Sequence, residues 1–156
     1  MHITKLNNNI LNNRQTDKFD YMIYKHFEHL VEQPKLMHSY EKIKELLDSK
    51  DTQIYLLMKK TSIYGYVVCS KMSLTDGRKV LFINYIFTSP QHRHNGYGNI
   101  LLNYIMKYAK SSNVDGIMLI CNTTDKKIHD WYARHGFMLD FHLRRYEKYD
   151  VMYKSA

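Results

Sequence analysis

The sequence predicts a mixed α/β (α+β) domain with helices on both faces of its sheet. Three observations predict it. Two amphipathic helical runs come first. Three β-rich runs joined by short polar turns follow, which read as an antiparallel meander. The remainder alternates strand, helix, strand, helix, strand. Helices and strands that each bury one face must share a core, and this order suits a sheet covered on both sides.

The elements follow in chain order. Ile3 to Leu11 is a poor strand. Asp17 to Val31 places Phe19, Met22, Ile23, His26, Phe27, Leu30 and Val31 on one helical face, and Gln33-Pro34 ends that run. Ser39 can cap a second helix, with Ile43, Leu46 and Leu47 inward. Gln53 to Met58 and Ile63 to Ser73 read as strands around the polar turn Lys60-Thr61-Ser62. Asp76-Gly77 is a hairpin signal leading into the strand Lys79 to Thr88. Tyr97 to Lys110 has Tyr97, Ile100, Leu101, Tyr104, Ile105 and Tyr108 at core spacing. Leu102 and Met106 widen that stripe, so the helix should lie flat on a sheet. Ile117 to Cys121 is short and wholly apolar, which suits a central strand. Asp125 to His135 is a helix, and Gly136 is its natural stop. Phe137 to Tyr146 and Tyr149 to Lys154 read as the last strands.

The chain is long enough for one full core and too short for two, so residues 1–156 are expected to form a single domain. No run approaches the ~20 apolar residues of a membrane span. The polar start, Met1 to Arg14, has no apolar signal core. Cys69 and Cys121 are the only cysteines, which suits a reducing cytoplasmic location rather than a disulfide framework. The net charge of +8 permits an anionic partner. Basic residues are spread along the chain, however, and cluster only as Lys59-Lys60, Lys126-Lys127 and Arg144-Arg145. An anionic small molecule explains this better than nucleic acid. His92-x-His94 with Cys121, His129 and His135 matches no metal-ligand spacing, so no metal is expected.

The chemistry is concentrated in Arg93-His94-Asn95-Gly96-Tyr97-Gly98. This R-x-x-G-x-G segment lies between a strand and a helix. Unpaired N–H groups at the helix start, and the positive end of its dipole, favour a phosphate. Gly96 and Gly98 let the backbone approach it closely.

The longer stretch Thr88-Ser89-Pro90-Gln91-His92-Arg93-His94-Asn95-Gly96-Tyr97-Gly98-Asn99-Ile100-Leu101-Leu102 resembles the acetyl-CoA-binding motif of the GNAT superfamily, V-x-P-x-x-R-x-x-G-x-G-x-x-L-L. Thr88 stands where the motif has valine. Asp125 to Phe137 resembles the superfamily's N-x-x-A-x-x-x-Y-x-x-x-G-F segment, with Tyr132, Gly136 and Phe137 matching. Asp125 stands for Asn and Ile128 for Ala. The resemblance covers about residues 50–154 and assigns no subfamily.

The resemblance implies a mostly antiparallel sheet of six to seven strands. It implies acetyl-CoA as cosubstrate and direct attack of a neutral primary amine on the thioester. Backbone groups from Arg93, His94, Asn95, Gly96, Tyr97 and Gly98, with Asn99, are expected at the pyrophosphate. The Arg93 side chain either adds charge there or braces the loop. Because backbone groups do the binding, the identities of His94 and Asn95 should matter little. Phe87, Thr88 and Ser89 are expected along the pantetheine arm, and Asp125 is carried over as a cofactor contact. Tyr132 is the candidate general acid at the departing sulfur. Trp131 beside it reads as core.

The base is open. Relatives can carry a carboxylate on the strand before the loop, but here Phe82 and Asn84 occupy those positions. Asn84 can orient a water but cannot hold a proton. His92, His94, His129, His135 and His142 are the candidate ends of a water chain. A catalytically silent acyl-CoA-binding module is therefore the alternative, with a basic nucleic-acid-binding protein behind it. The family layout puts the acceptor between Gln33–Tyr40 and Phe141–Asp150. Lys35, His38, His142, Arg144, Arg145 and Lys148 there outnumber Glu41, Glu147 and Asp150. Tyr40, Phe141 and Tyr146 add aromatic surface. A weakly charged small amine or a peptide amine is expected over a polyamine, with the protein a monomer or homodimer.

Overall fold

The computed structural model describes residues 1–6, 13–30, 38–122, 124–140 and 149–156, with residues 13–18 described for backbone only. Among the described residues, seven strands and four α-helices follow one another in the expected order. The strands are β1 (His2–Leu6), β2 (Thr52–Lys59), β3 (Ser62–Ser73), β4 (Lys79–Thr88), β5 (Gly116–Asn122), β6 (Met138–Leu139) and β7 (Tyr149–Ser155). The helices are α1 (Asn13–His26), α2 (Tyr40–Asp48), α3 (Tyr97–Ser111) and α4 (Lys126–Arg134). They build one sheet in the order β1-β2-β3-β4-β5-β7-β6. Every pairing is antiparallel except β4 with β5.

Strand alternation divides the core in two. Tyr55, Leu57, Val67 and Cys69 point to the face covered by α3, with Leu101, Leu102 and Ile105. Ile54, Leu56, Tyr66 and Val68 point to the other face, with Phe19 and Ile23 of α1 and Ile43 and Leu47 of α2. Successive residues of a strand face opposite ways, so each central strand serves both layers. The apolar run in β5 is central as expected, between β4 and β7.

Three boundaries differ from the sequence reading. The first helix begins at Asn13 and ends at His26, with a short 3-10 turn at Glu28–Leu30 in place of its last turn. The strand expected from Phe137 is described only at Met138–Leu139, because residues 141–146 lie outside the described residues. The weak N-terminal strand is present as His2–Leu6, paired with β2, while residues 7–11 lie outside. Ser39 caps α2 by accepting the Lys42 N–H, and Gly136 follows α4 at φ 92°. Among the described residues no helix is long and apolar enough to cross a membrane.

Candidate active site

The parallel pair β4–β5 is joined only at Val80–Gly116, Leu81–Ile117 and Phe82–Met118. Beyond those pairs β4 continues through Ile83–Thr88 and β5 through Leu119–Asn122 without touching in register. The sheet therefore opens between its two middle strands. A bulge helps to part them. Val68 pairs with Tyr85 and Cys69 with Ile83, leaving Asn84 as an extra residue on β4. An extra residue bends and twists its strand.

A cleft of about 730 Å³ fills this opening. Ile86, Phe87 and Thr88 of β4 line one wall, and Lys127, Ile128, Trp131 and Tyr132 of α4 line another. The loop and first turn of α3 close it at Arg93, His94, Gly96, Tyr97, Gly98 and Asn99. His26, Phe27 and His29 approach from the end of α1.

The helix start is built to receive an anion. Gly96 is the residue preceding α3, in the left-handed region at φ 78°, and no side chain caps the helix. The first helical bond is Ile100 N–H to the Gly96 carbonyl. The N–H groups of Tyr97, Gly98 and Asn99 thus have no acceptor within the helix, and they point with the positive end of the dipole. Two side chains shape the loop. Arg93 Nε donates to the Thr88 carbonyl at 3.2 Å, and its guanidinium lies 5.7 Å from the Phe87 ring centre. Asn95 Nδ2 donates to the His92 carbonyl at 3.2 Å. Arg93 therefore braces the loop. His94 is left-handed as well, at φ 67°. Its backbone conformation is one that L side chains disfavour, so residue identity matters more there than the sequence suggested.

Tyr132 reaches the cleft from α4 with its ring packed against Trp131 and Phe137. It is nearly fully buried, and that burial, with Cys121 nearby, drives its phenol above the ordinary tyrosine range. A phenol so disposed keeps its proton. Even an unshifted tyrosine gives its proton to a thiolate of pKa ~8.5 uphill by about 2 kcal/mol, and burial makes this steeper.

Four of the sequence-assigned residues are not in the cleft wall, and a fifth position was undervalued. Asn84 accepts the Ser70 hydroxyl at 2.9 Å and is not a cleft residue. Asp125 caps α4 by accepting the Ile128 N–H at 3.2 Å, and it borders a separate hollow. Ser89 and Asn95 support the loop behind the wall. Trp131, read as core, instead lines the cleft. Its indole N–H donates to Asn99 Oδ1 at 2.8 Å, and its ring covers Gly98.

The histidines separate clearly. His92 stacks on Tyr64 at 3.9 Å between ring centres. His129 Nε2 lies 3.2 Å from Asp150 Oδ2, and His135 Nδ1 is 2.8 Å from the Trp131 carbonyl. His142 lies outside the described residues, as do most of the expected acceptor rim, 33–37 and 141–148. Two histidines not among the base candidates from the sequence pack on aromatic residues of β3 and β4, and of these His26 lines the cleft. His26 lies flat on Phe87, with Nδ1 2.9 Å from the Tyr66 hydroxyl. His38, expected at the rim, is buried, with Nδ1 2.8 Å from the Tyr85 hydroxyl and Nε2 3.3 Å from the Tyr24 carbonyl. No carboxylate lines the main cleft among the described residues. Among them there is also no group of three or more His, Cys, Asp or Glu arranged to hold a metal ion.

Burial lowers the pKa of both His26 and His38 below the ordinary 6.5, with the Arg93 charge adding to the shift at His26. The folded chain then binds fewer protons than the unfolded chain just below pH 6.5. Their contribution to stability is full above that pH and declines as pH falls through the folded pKa values. Thermal melts from neutral pH downward should show Tm falling below about pH 6.5, and His38→Gln should flatten the slope. An unchanged slope in that variant would place the acid sensitivity elsewhere.

A second hollow of about 450 Å³ adjoins the first at His29. Cys121 and Asn122 at the end of β5, Asp125, and Tyr149 of β7 border it. Burial, with the charges of Asp150 and Asp125, pushes the Cys121 thiol up to about 12, so it remains a neutral thiol.

A sheet opened between two parallel strands, with an uncapped helix start at the opening, is a framework that can seat a phosphate-bearing ligand. The family model of the acetyltransferase (GNAT) family matches residues 20–137. The chain belongs to the GNAT acetyltransferase family, and its cosubstrate is acetyl-CoA. Solved structures carry the same fold at low identity. Arabidopsis thaliana NAA60 in complex with acetyl-CoA superposes with a TM-score of 0.69 at 13% identity, over 99% of this chain and 98% of that one. Tetrahymena GCN5 gives 0.69 at 14%, over 99% and 96%. The ribosomal-protein-S18-alanine N-acetyltransferase from Escherichia coli gives 0.66 at 10%, over 99% and 94%.

Proposed function

We propose that this chain, acting as one domain over residues 1–156, transfers the acetyl group of acetyl-CoA to a primary amine. The observation that supports this best is the uncapped start of α3, set where β4 parts from β5. The N–H groups of Gly96, Tyr97, Gly98 and Asn99 face the pyrophosphate in this reading. The backbone of Phe87, Thr88 and Ser89, at the unpaired end of β4, serves the pantetheine arm. Arg93, His94, Asn95 and Trp131 hold the loop in place, and Asp125 acts indirectly by capping α4.

Bound acetyl-CoA supplies a thioester carbonyl open to attack. The chain's contribution is to hold it against β4, to exclude water with Phe27, Ile86 and Ile128, and to donate a hydrogen bond from Tyr132 to the sulfur as charge gathers there. Asn84 serves this reading through the bulge that opens the sheet. The acceptor reaches the cleft from the hollow at His29, Asn122, Asp125 and Tyr149. That hollow is polar and has one carboxylate among its described lining, which suits one amino group better than several. The acceptor in this reading is a weakly charged small amine, a lysyl side chain or a peptide N-terminus.

Two measurements test the proposal. Acetyl-CoA should bind with roughly micromolar affinity and stabilise the chain by about 2.7 kcal/mol at a hundredfold excess over Kd. Spermidine, aromatic monoamines and lysyl peptides should then be compared at fixed ionic strength. No binding at millimolar acetyl-CoA would sink the cofactor site. Binding without turnover of any amine would leave an acyl-CoA-binding module. Spermidine as the best substrate would overturn the charge argument.

A further inference from the structure

We propose that His26 is the group that takes the proton from the acceptor's ammonium, and that the buried Tyr66 hydroxyl orients it for this. The assignment rests on the acetyl-transfer reading above. His26 is the last residue of α1, so its side chain leaves the helix against the open end of β4. Its ring is stacked on Phe87 with centres 3.8 Å apart and planes 10° from parallel. Tyr66, fully buried in β3, holds Nδ1 at 2.9 Å. Two aromatic contacts and one hydrogen bond thus fix the imidazole. Among the described residues the hydrogen bond of the ring is made at Nδ1 and none at Nε2, and the residue lines the cleft.

Among the described residues most other histidines are engaged elsewhere; His29 lines the cleft too, but its ring is only tilted against Phe27, 6.2 Å between centres, and no hydrogen bond orients it. His38 is engaged through both nitrogens. His129 faces Asp150, and His135 is tied to the Trp131 carbonyl. His92 and His94 belong to the phosphate loop.

The surroundings of His26 decide its charge. Arg93 faces it from the loop after β4, and Tyr66 from β3. His29, His92, His94 and Lys127 line the same cleft. Glu28, two residues on, is paired with Lys25 at 2.8 Å. Burial, with the Arg93 charge, lowers the pKa of the ring and favours its neutral form at pH 7, which a proton acceptor requires. In the neutral ring Nδ1 carries the hydrogen and donates it to the Tyr66 oxygen, which leaves Nε2 to accept; once protonated, the cation lies on the Phe87 face.

The step balances as follows. An N–H bond of the ammonium breaks, its proton goes to Nε2, and the electron pair stays on nitrogen. That pair forms the C–N bond to the thioester carbonyl carbon, while the C–S pair leaves with sulfur. The nitrogen's second proton ends on sulfur, its third stays in the amide, and His26 returns its proton to solvent.

The test compares the full chain with its His26→Gln and Tyr66→Phe variants, using acetyl-CoA and the best amine of the panel. In the wild type, kcat/KM should rise on a limb below pH ~6.5 and stay level to the amine's own pKa of ~10.4. In His26→Gln it should follow the free amine, about tenfold per pH unit. The loss is then about a hundredfold near pH 7.5 and small near pH 10. Acetyl-CoA affinity by calorimetry should hold within about threefold. By NMR, the imidazole resonance missing from His26→Gln should titrate below 6.5 in the wild type, and lower still in Tyr66→Phe. A loss equal at every pH, or an imidazole indifferent to Tyr66→Phe, assigns His26 to packing and overturns the proposal. A wild type inert toward every amine overturns the acetyl-transfer reading, and the role of His26 with it.

Discussion

Gly98→Val is expected to reduce acetyl-CoA affinity at least about a hundredfold, close to 2.8 kcal/mol. A Cβ at Gly98 would stand 3.2 Å from Trp131 Cζ2 and 3.9 Å from Thr88 Cγ2. Branching at that carbon pushes the indole off Asn99 and fills the space above the helix start. The residue is not in the left-handed region, so the cost is steric rather than conformational. Gly96→Val should weaken binding by the other route. Nothing lies within 4 Å of a Cβ there, but φ is 78°. A β-branched residue resists that conformation at a cost of about 1–3 kcal/mol, and the loop reshapes. Calorimetric titration with acetyl-CoA, after circular dichroism has confirmed folding, measures both. Full affinity in Gly98→Val would show that the phosphates do not sit on the α3 start. His94→Gly is the matching control: it relieves a left-handed histidine and should bind at least as well.

Tyr132→Phe should lower kcat about ten- to a thousandfold, the usual range for removing acid–base assistance. The ring contacts with Trp131 and Phe137 survive this change, and only the hydroxyl is lost. Acetyl-CoA affinity should change little, because the pyrophosphate donors lie on α3. The pH profile should keep its shape, since a phenol raised by burial does not titrate in the working range. This separates Tyr132 from His26, whose loss changes the profile. Unchanged turnover would assign protonation of the sulfur to another donor or to water.

The phosphate loop was legible in the sequence because its chemistry is local. A strand, two glycines and an amphipathic helix place backbone donors within six residues, whatever surrounds them. Tyr132 and Gly136–Phe137 were legible through the spacing of one short helix. The proton acceptor was not. His26 reads as one more residue on the apolar face of α1, at the same period as Ile23 and Leu30. Only the stack on Phe87 and the reach to Tyr66, 40 positions along the chain, distinguish it. Trp131 was misread for a similar reason. Its helix period suits a core residue, and its partners Gly98 and Asn99 lie on another helix. Asn84 was placed by strand position, but a bulge changes where a side chain points, and no composition signal marks this one.

By itself the sequence determined the order and type of the elements, the central place of β5 and the glycine-opened, uncapped start of α3. Each follows from hydrophobic period, turn chemistry or backbone donors, which act over a few residues. Tertiary structure alone decided where the sheet opens, which histidine is stacked and hydrogen-bonded in the opening, and which polar side chains are consumed in support. These depend on register between distant strands and on pairings far apart in sequence, such as the bond of Arg78 to the buried Asp140, 62 positions away. Burial then sets the protonation of His26, Tyr132 and Cys121, because the cost of a charge depends on everything packed around it rather than on its neighbours in sequence.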